Sequence, residues 1–420
     1  WRISEEPFFA NAKKHVNNLK IRASYGSLGN QNVSYYSYLR TISSSYFSNY
    51  TFGEGSTMPK YTSLSNPISD GLTWETSQQL DLGVDLDMFD DRLNIAVDYY
   101  DKLTYNLIQP QSMGWTESIG LSAMLVNQGK IRNRGAELTI GWSDQVGDWS
   151  YYVNGNYSFN KNTVEDIGIK DAAGNSGLWV GGGEFGNLRD YYQTCEGGEV
   201  NSFYLIECAG IFQSIEEIYA HQHNGKLIQP NAQPGDLKFV DYNNDGTISD
   251  ADKQYWGNWM PHSNYALSAG FNWKGLSASV MLQGVAGAKA FYPGKLYLVN
   301  EANVGFNRSA EILNAWTPEN KVTDVPMVNY NGDGYANGVS TRFLTSSDYL
   351  SINNITFGYT VSKRMTQKIG VQNFRVYCAA DNIAVFSARK GLDPRQGFTS
   401  ATNATYGALR TISGGVKLTF

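Results

Sequence analysis

The sequence predicts an all-β protein, a transmembrane antiparallel β-barrel, from three observations. Many segments alternate apolar and polar side chains over about ten residues, so each shows a different face to each side. The connections between them alternate between short and very long. No run approaches the roughly 20 apolar residues that a spanning helix needs. A wall with lipid outside and a wet lumen inside produces this pattern, with short turns at one end and long loops at the other.

The elements follow in order. Leu19, Ile21, Ala23 and Tyr25 interleave with Lys20, Arg22 and Ser24. Leu93, Ile95, Val97 and Tyr99 interleave with Asn94, Ala96 and Asp98. Ala136, Leu138, Ile140 and Trp142 do so with Glu137, Thr139 and Gly141, and Tyr151, Val153, Tyr157 and Phe159 with Asn154, Asn156 and Ser158. A period of two places each set on one face of a sheet. Further strands are expected at 265–273, 276–283, 345–361, 372–386 and 409–420, the last closing on Phe420 as an assembly signal.

Asp90-Asp91, Ser143 to Asp148, Lys274-Gly275 and Ser362 to Gly370 are the short turns. The long connections are 28–74, 109–130, 163–261, 288–344 and 387–408. On this reading the long loops are extracellular and the C-terminus is periplasmic. A soluble sandwich, propeller or β-helix would show shorter strands and more even loops, and there is no fixed-period repeat. Ten strands are few for loops of this size, since wide barrels hold channels or plugged lumens. The opening at Trp1 points to further strands upstream.

Composition narrows the function. Among 420 residues, 28 Tyr and 10 Trp suit membrane interfaces and sugar-binding surfaces alike. A net charge of −6 with no basic tract argues against nucleic acid. Trp1 to Glu6 has no signal-peptide pattern. Cys195, Cys208 and Cys378 make no disulfide framework; Cys195 and Cys208 are expected as separate thiols, with a disulfide between them left open.

The sharpest local motif runs from Asp241 to Asp252, D-x-N-x-D-G-x-I-x-x-x-D. Oxygen donors from Asp241, Asn243, Asp245, Thr247, Ser249 and Asp252 are expected to cage a structural calcium ion, with Gly246 at the turn. The same residues also make an Asx-rich turn that binds nothing. The 163–261 region is expected to lack a core of its own, so that a divalent ion would pin it. His221 and His223 at i, i+2 find no third zinc ligand in the pattern. Tyr35, Tyr36, Trp179, Tyr191, Tyr192, Trp256, Trp259, Tyr330 and Tyr335 are the loop aromatics that suit a substrate cavity or a partner's contact surface. The run Gly181 to Gly186 lacks the Gly-Lys-Ser/Thr of a phosphate loop, and no Ser/His/Asp or Cys/His set stands in a recognisable order. The chain is therefore not expected to be an enzyme.

Several segments resemble a known family. Leu19-Lys20-Ile21-Arg22-Ala23-Ser24-Tyr25-Gly26 with Gly29-Asn30-Gln31-Asn32, Leu72-Thr73-Trp74-Glu75-Thr76, Asp98-Tyr99-Tyr100-Asp101-Lys102 and Arg132-Asn133-Arg134-Gly135-Ala136-Glu137-Leu138 look like SusC/RagA-type TonB-linked outer-membrane transporters. So do Asn201-Ser202-Phe203-Tyr204, Gly210-Ile211-Phe212-Gln213, Pro234-Gly235-Asp236, Trp316-Thr317-Pro318-Glu319-Asn320, Asn354-Ile355-Thr356-Phe357-Gly358-Tyr359 and Lys390-Gly391-Leu392-Asp393-Pro394. Each fragment is common by itself; the ordered set is specific. Glu207-Cys208-Ala209 departs from the family's usual stretch, and the last strand lacks its Pro-Arg lead-in.

The resemblance implies that 1–420 is the C-terminal part of a barrel of about 22 strands, without the plug and the TonB-contact segment. It implies TonB-dependent import of an oligosaccharide or peptide across the bacterial outer membrane. A SusD-like lipoprotein would form the lid, and the remaining barrel and plug polypeptide would complete the pore. An outer-membrane binding or adhesion barrel without transport is the rival reading.

Overall fold

The computed structural model describes residues 1–31, 33, 35, 42–46, 60–64, 71–111, 124–168, 177–179, 192–291, 307–328, 340–389, 393–395 and 407–420. Ten long strands form one antiparallel meander. In chain order they are β1 (Val16–Asn30), β2 (Glu75–Met88), β3 (Leu93–Tyr105), β4 (Lys130–Val146), β5 (Trp149–Asp166), β6 (Ser263–Trp273), β7 (Leu276–Ala286), β8 (Tyr349–Thr360), β9 (Asn373–Ser387) and β10 (Thr411–Thr419). Each pairs with its sequence neighbours, and β1 and β10 are the two edges and do not pair with each other. The sheet is a sector of a larger barrel wall.

The register joins the predicted faces into continuous rows. Ile21 lies opposite Val84, Val84 opposite Val97, Val97 opposite Leu138, and Leu138 opposite Tyr157. One step along, Arg22 faces Gly83, Gly83 faces Asp98, Asp98 faces Glu137, and Glu137 faces Ser158. One face is therefore apolar and the other charged across four strand interfaces. Val97, Leu138 and Ile140 are 45%, 37% and 42% exposed, so the apolar face covers no protein core. Water cannot be its solvent at this extent, whereas hydrocarbon can.

Aromatics mark the short-turn edge of that face. The rings of Trp149 and Trp273 stack at 5.2 Å, Phe271 lies 5.4 Å from Trp149, and Phe89 lies 6.3 Å from Trp142. Lys274 places its ammonium 5.7 Å from the Trp273 ring. Ring bodies with polar rims suit an interfacial belt. The turns beneath have the required backbone: Lys274 and Gly275 take φ of 47° and 91°, the left-handed pair of a two-residue hairpin. Nearby, Phe89, Asp90 and Asp91 turn the chain with φ of 59°, 60° and 61°.

The buried core lies at the long-loop end. Residues 192–195, 202–206 and 253–258, with 177–179 beyond them, form a four-stranded antiparallel sheet. Phe203, Leu205, Phe291 and Phe343 form one buried cluster, with Tyr192, Trp256 and Leu344 packed against it. Ile211, Leu237, Phe239 and Trp316 form a second, supported by Ile206, Cys208, Ile248 and Met327. This corrects the expectation that the 163–261 region has no core. The 192–258 segments acquire one by packing against Phe291, Trp316 and Phe343, which come from the next long connection. The two long connections thus build a folded cap.

Candidate functional site

The charged face of the sheet offers the first candidate surface. Arg22 reaches across the space left by Gly83, its Nη2 donating to Asp85 at 2.8 Å and to Asp98 at 3.0 Å. A Cβ at position 83 would crowd the Arg22 guanidinium, so the missing side chain is what lets the arginine cross. Farther along, the Tyr100 hydroxyl donates to Asn160 at 3.0 Å, and Asn162 donates to Asn133 at 2.9 Å. A concavity of about 490 Å³ opens among Arg22, Ser24, Gln79, Asp81, Asp98, Tyr100, Lys102 and Glu137. Donors and acceptors of both signs at this density suit a polar, hydrogen-bonding solute rather than an apolar one.

Buried contacts fasten the cap to the wall, among them the Val200 N–H donating to Asn162 of β5 and a cluster at Glu199. Glu199 accepts from the Tyr255 hydroxyl at 2.9 Å and lies 2.6 Å from His262 Nε2, which sits at the start of β6. Burial, with the neighbouring Glu199 carboxylate, pushes the Tyr255 hydroxyl well above the ordinary phenol range. No local pattern in the sequence signals this pair, because Glu199 and His262 lie 63 residues apart. A second feature of the rim is Arg395. It binds Asp393 through Nε and Nη2 and thereby holds that carboxyl below the usual range.

The six residues of the acidic loop are brought onto one turn. The Asp245 N–H donates to both Asp241 Oδ1 and Asn243 Oδ1, so those two oxygens converge. Asp245 Oδ1 accepts from the Thr247 N–H and hydroxyl at 2.8 and 2.7 Å, and these bonds lower its pKa. Ser249 caps a short 3-10 turn by accepting from the Ala251 N–H. Asp252 is 1% exposed and accepts from the N–H groups of Tyr242, Asn243 and Ser249. Asn244 and Gly246 take the left-handed backbone that closes the turn, and Ile248 anchors it on the second cap cluster. Among the described residues, no group of three or more His, Cys, Asp or Glu side chains is close enough for a metal ion. The side-chain oxygens of Asp241 and Asn243 converge on the Asp245 amide, and the Asp252 carboxylate also staples three backbone amides.

The loop aromatics divide. Tyr192 stacks on Phe203 at 5.0 Å, and the Trp256 Nε1–H donates to the Leu205 carbonyl at 3.1 Å. Both rings are built into the first cap cluster. Trp259 is 55% exposed and Tyr35 is 95% exposed, so both are available to a ligand or partner. Trp179 ends a short strand paired with Gln193. Tyr36, Tyr191, Tyr330 and Tyr335 lie outside the described residues. Phe420 is exposed just past β10. Cys195, Cys208 and Cys378 are free thiols. His221 packs edge-on to Phe212 at 5.5 Å, and burial holds its imidazole below the ordinary value.

Comparison with known proteins places this architecture. A family model described as "TonB dependent receptor-like, beta-barrel" matches residues 11–193. TonB-dependent receptor P3 of Formosa agariphila is 27% identical across all of this chain and 41% of its own length. TonB-dependent receptor SusC of Bacteroides thetaiotaomicron is 26% identical over 94% of this chain and 37% of its own. The structure of the RagAB peptide importer in its closed-closed state superposes with a TM-score of 0.77. It does so at 22% identity, over 100% of this chain and 42% of that one. Residues 11–193 match the TonB-dependent receptor β-barrel model, and the ten-stranded wall has that outer-membrane fold. The similarity to SusC and to the fold of the RagAB importer agrees with the ordered motifs of the sequence. It spans about two fifths of the length of the curated relatives it matches.

Proposed function

We propose that this chain supplies barrel wall and folded cap to a TonB-dependent importer of an oligosaccharide or peptide nutrient. The observation that carries the reading is the pairing of a lipid-type outer face with a lumen wall of closely spaced charged and amide groups. A cap with its own core sits over that wall. The long-loop end faces outward and the short turns face the periplasm. A SusD-like lipoprotein seats on the cap, and exposed Trp259 and Tyr35 serve that contact or the ligand. TonB acts through a part of the protein other than this one. The chain itself performs no catalysis.

The acidic loop is proposed to take a structural calcium ion, with Asp241, Asn243, Asp245, the Thr247 carbonyl, Ser249 through water and Asp252 as ligands. Supporting this are the convergent oxygens and the left-handed Gly246.

The test is purification from native outer membranes, followed by uptake of labelled oligosaccharides and peptides in cells with and without TonB. Co-purification of a surface lipoprotein and TonB-dependent uptake of one substrate class are expected. Ligand binding that persists while uptake is absent in both strains would instead favour an adhesion barrel.

A further inference from the structure

The outward rows change character abruptly at the long-loop edge of the apolar face. Ten steps along β5 lead from Trp149 to Phe159. At about 3.4 Å per residue and a tilt near 40°, they rise about 26 Å, the height of a barrel's apolar band. Phe159 reaches that height on β5, and its outward register partners are Ala136, Tyr99 and Leu82. The next outward row reads Leu80, Asp101, Arg134 and Lys161, with Arg132 one row beyond. Charge therefore begins where acyl chains end, on the side facing away from the lumen.

The cluster is organised. Asp101 accepts from Arg132 Nε at 2.8 Å and from Arg134 Nε at 2.9 Å. Arg132 Nη1 donates to Glu165 at 2.7 Å. One carboxylate thus orients two guanidinium groups through their Nε atoms. The terminal nitrogens of Arg134 make no hydrogen bond among the described residues, on a side chain that is 54% exposed. Lys161, directly opposite Arg134 in the register, is exposed and makes no ion pair among the described residues. Three cations stand against two carboxylates, and the unspent donors are the outermost.

We infer that Arg134 and Lys161, set in place by Asp101 and Arg132, bind the phosphate of a lipid headgroup in the leaflet at the long-loop end. A fork of guanidinium N–H donors beside an ammonium matches phosphate oxygens, and such charge-assisted bonds strengthen where water is scarce. Tyr99 and Phe159 lie directly beneath, where the first acyl carbons of such a lipid pass. Height and outward direction favour a membrane lipid over a soluble anion. The inference rests on the membrane-spanning fold and not on the import reading or on which way the loops face.

The test uses the protein purified from native membranes and exchanged into phosphatidylcholine vesicles. Each preparation carries either diphosphoryl lipid A or the same lipid with its phosphates removed. Bound lipid per protein is counted by native mass spectrometry. The expected result is retention of the phosphorylated lipid alone. Retention falls at least tenfold in the double variant Arg134→Gln/Lys161→Gln and is unchanged in Lys417→Gln, which removes one charge from the opposite face. Heat-dependent gel migration confirms that each barrel is folded. Equal retention of both lipids, an equal loss in Lys417→Gln, or displacement of the lipid by inorganic phosphate would each overturn the assignment.

Discussion

Replacing Phe203 by alanine opens the cap and leaves the wall intact. Phe203 is fully buried and packs between Tyr192 at 5.0 Å and Phe291 at 6.4 Å, ring centre to ring centre. Truncating a buried phenylalanine costs about 3–5 kcal/mol, lost burial and residual cavity together. About 4 kcal/mol corresponds to a change of about a thousandfold in the local opening equilibrium. The partners of Phe203 come from 192, 291 and 343 and not from the apolar face of the wall, so the loss stays local. Hydrogen exchange on the protein in vesicles reads this directly. Amides of 202–206 and 253–258 should lose protection by about that factor, while 95–99 and 138–142 keep theirs. Unchanged protection in the cap would show that the cluster does not hold it. An equal loss in β3 and β4 would show that cap and wall unfold as one unit.

Other outcomes follow from single residues. Gly275→Val forces a branched side chain into a left-handed turn and against the Thr360 carbonyl oxygen; it should cost about 2 kcal/mol or more, read as a lower barrel melting temperature. Asp252→Ala strips the acceptor from three backbone amides and should cost the cap about 1–3 kcal/mol, seen as faster proteolysis within 241–252. At His221 burial keeps the imidazole neutral, so the folded cap binds this proton less readily than the unfolded chain. Its contribution is complete above about pH 6.5 and declines as pH falls below that value; His221→Phe should flatten the pH dependence of cap protection. Chelating calcium should lower cap stability if the acidic loop holds the ion, and leave it unchanged if the amide staple suffices.

The wall was legible in the sequence because two solvents act on alternate residues of every strand. Leu93 to Tyr99 and Ala136 to Trp142 each announce one face without help from distant residues. The Lys274-Gly275 turn was equally plain, since its chemistry is local. The cap was not, because Phe203 meets Phe291 and Phe343 only through the fold, and none of their segments has a period. Aromatic content in loops cannot tell a packed ring from a presented one. Trp256 and Trp259 are three residues apart, yet one is in the cap cluster and the other is exposed. The Glu199–His262 tie and the Asp101 bridge between Arg132 and Arg134 depend on register, which a single strand's sequence does not state.

The most direct test of the two-solvent wall is a nitroxide scan of β3 and β4 in a cysteine-free background, in vesicles. Labels at Val97, Leu138 and Ile140 should be relaxed by dissolved oxygen and shielded from a water-soluble nickel chelate, and labels at Asp98 and Glu137 should do the opposite. The same oxygen-to-nickel ratio at adjacent positions would mean that these strands do not divide lipid from water.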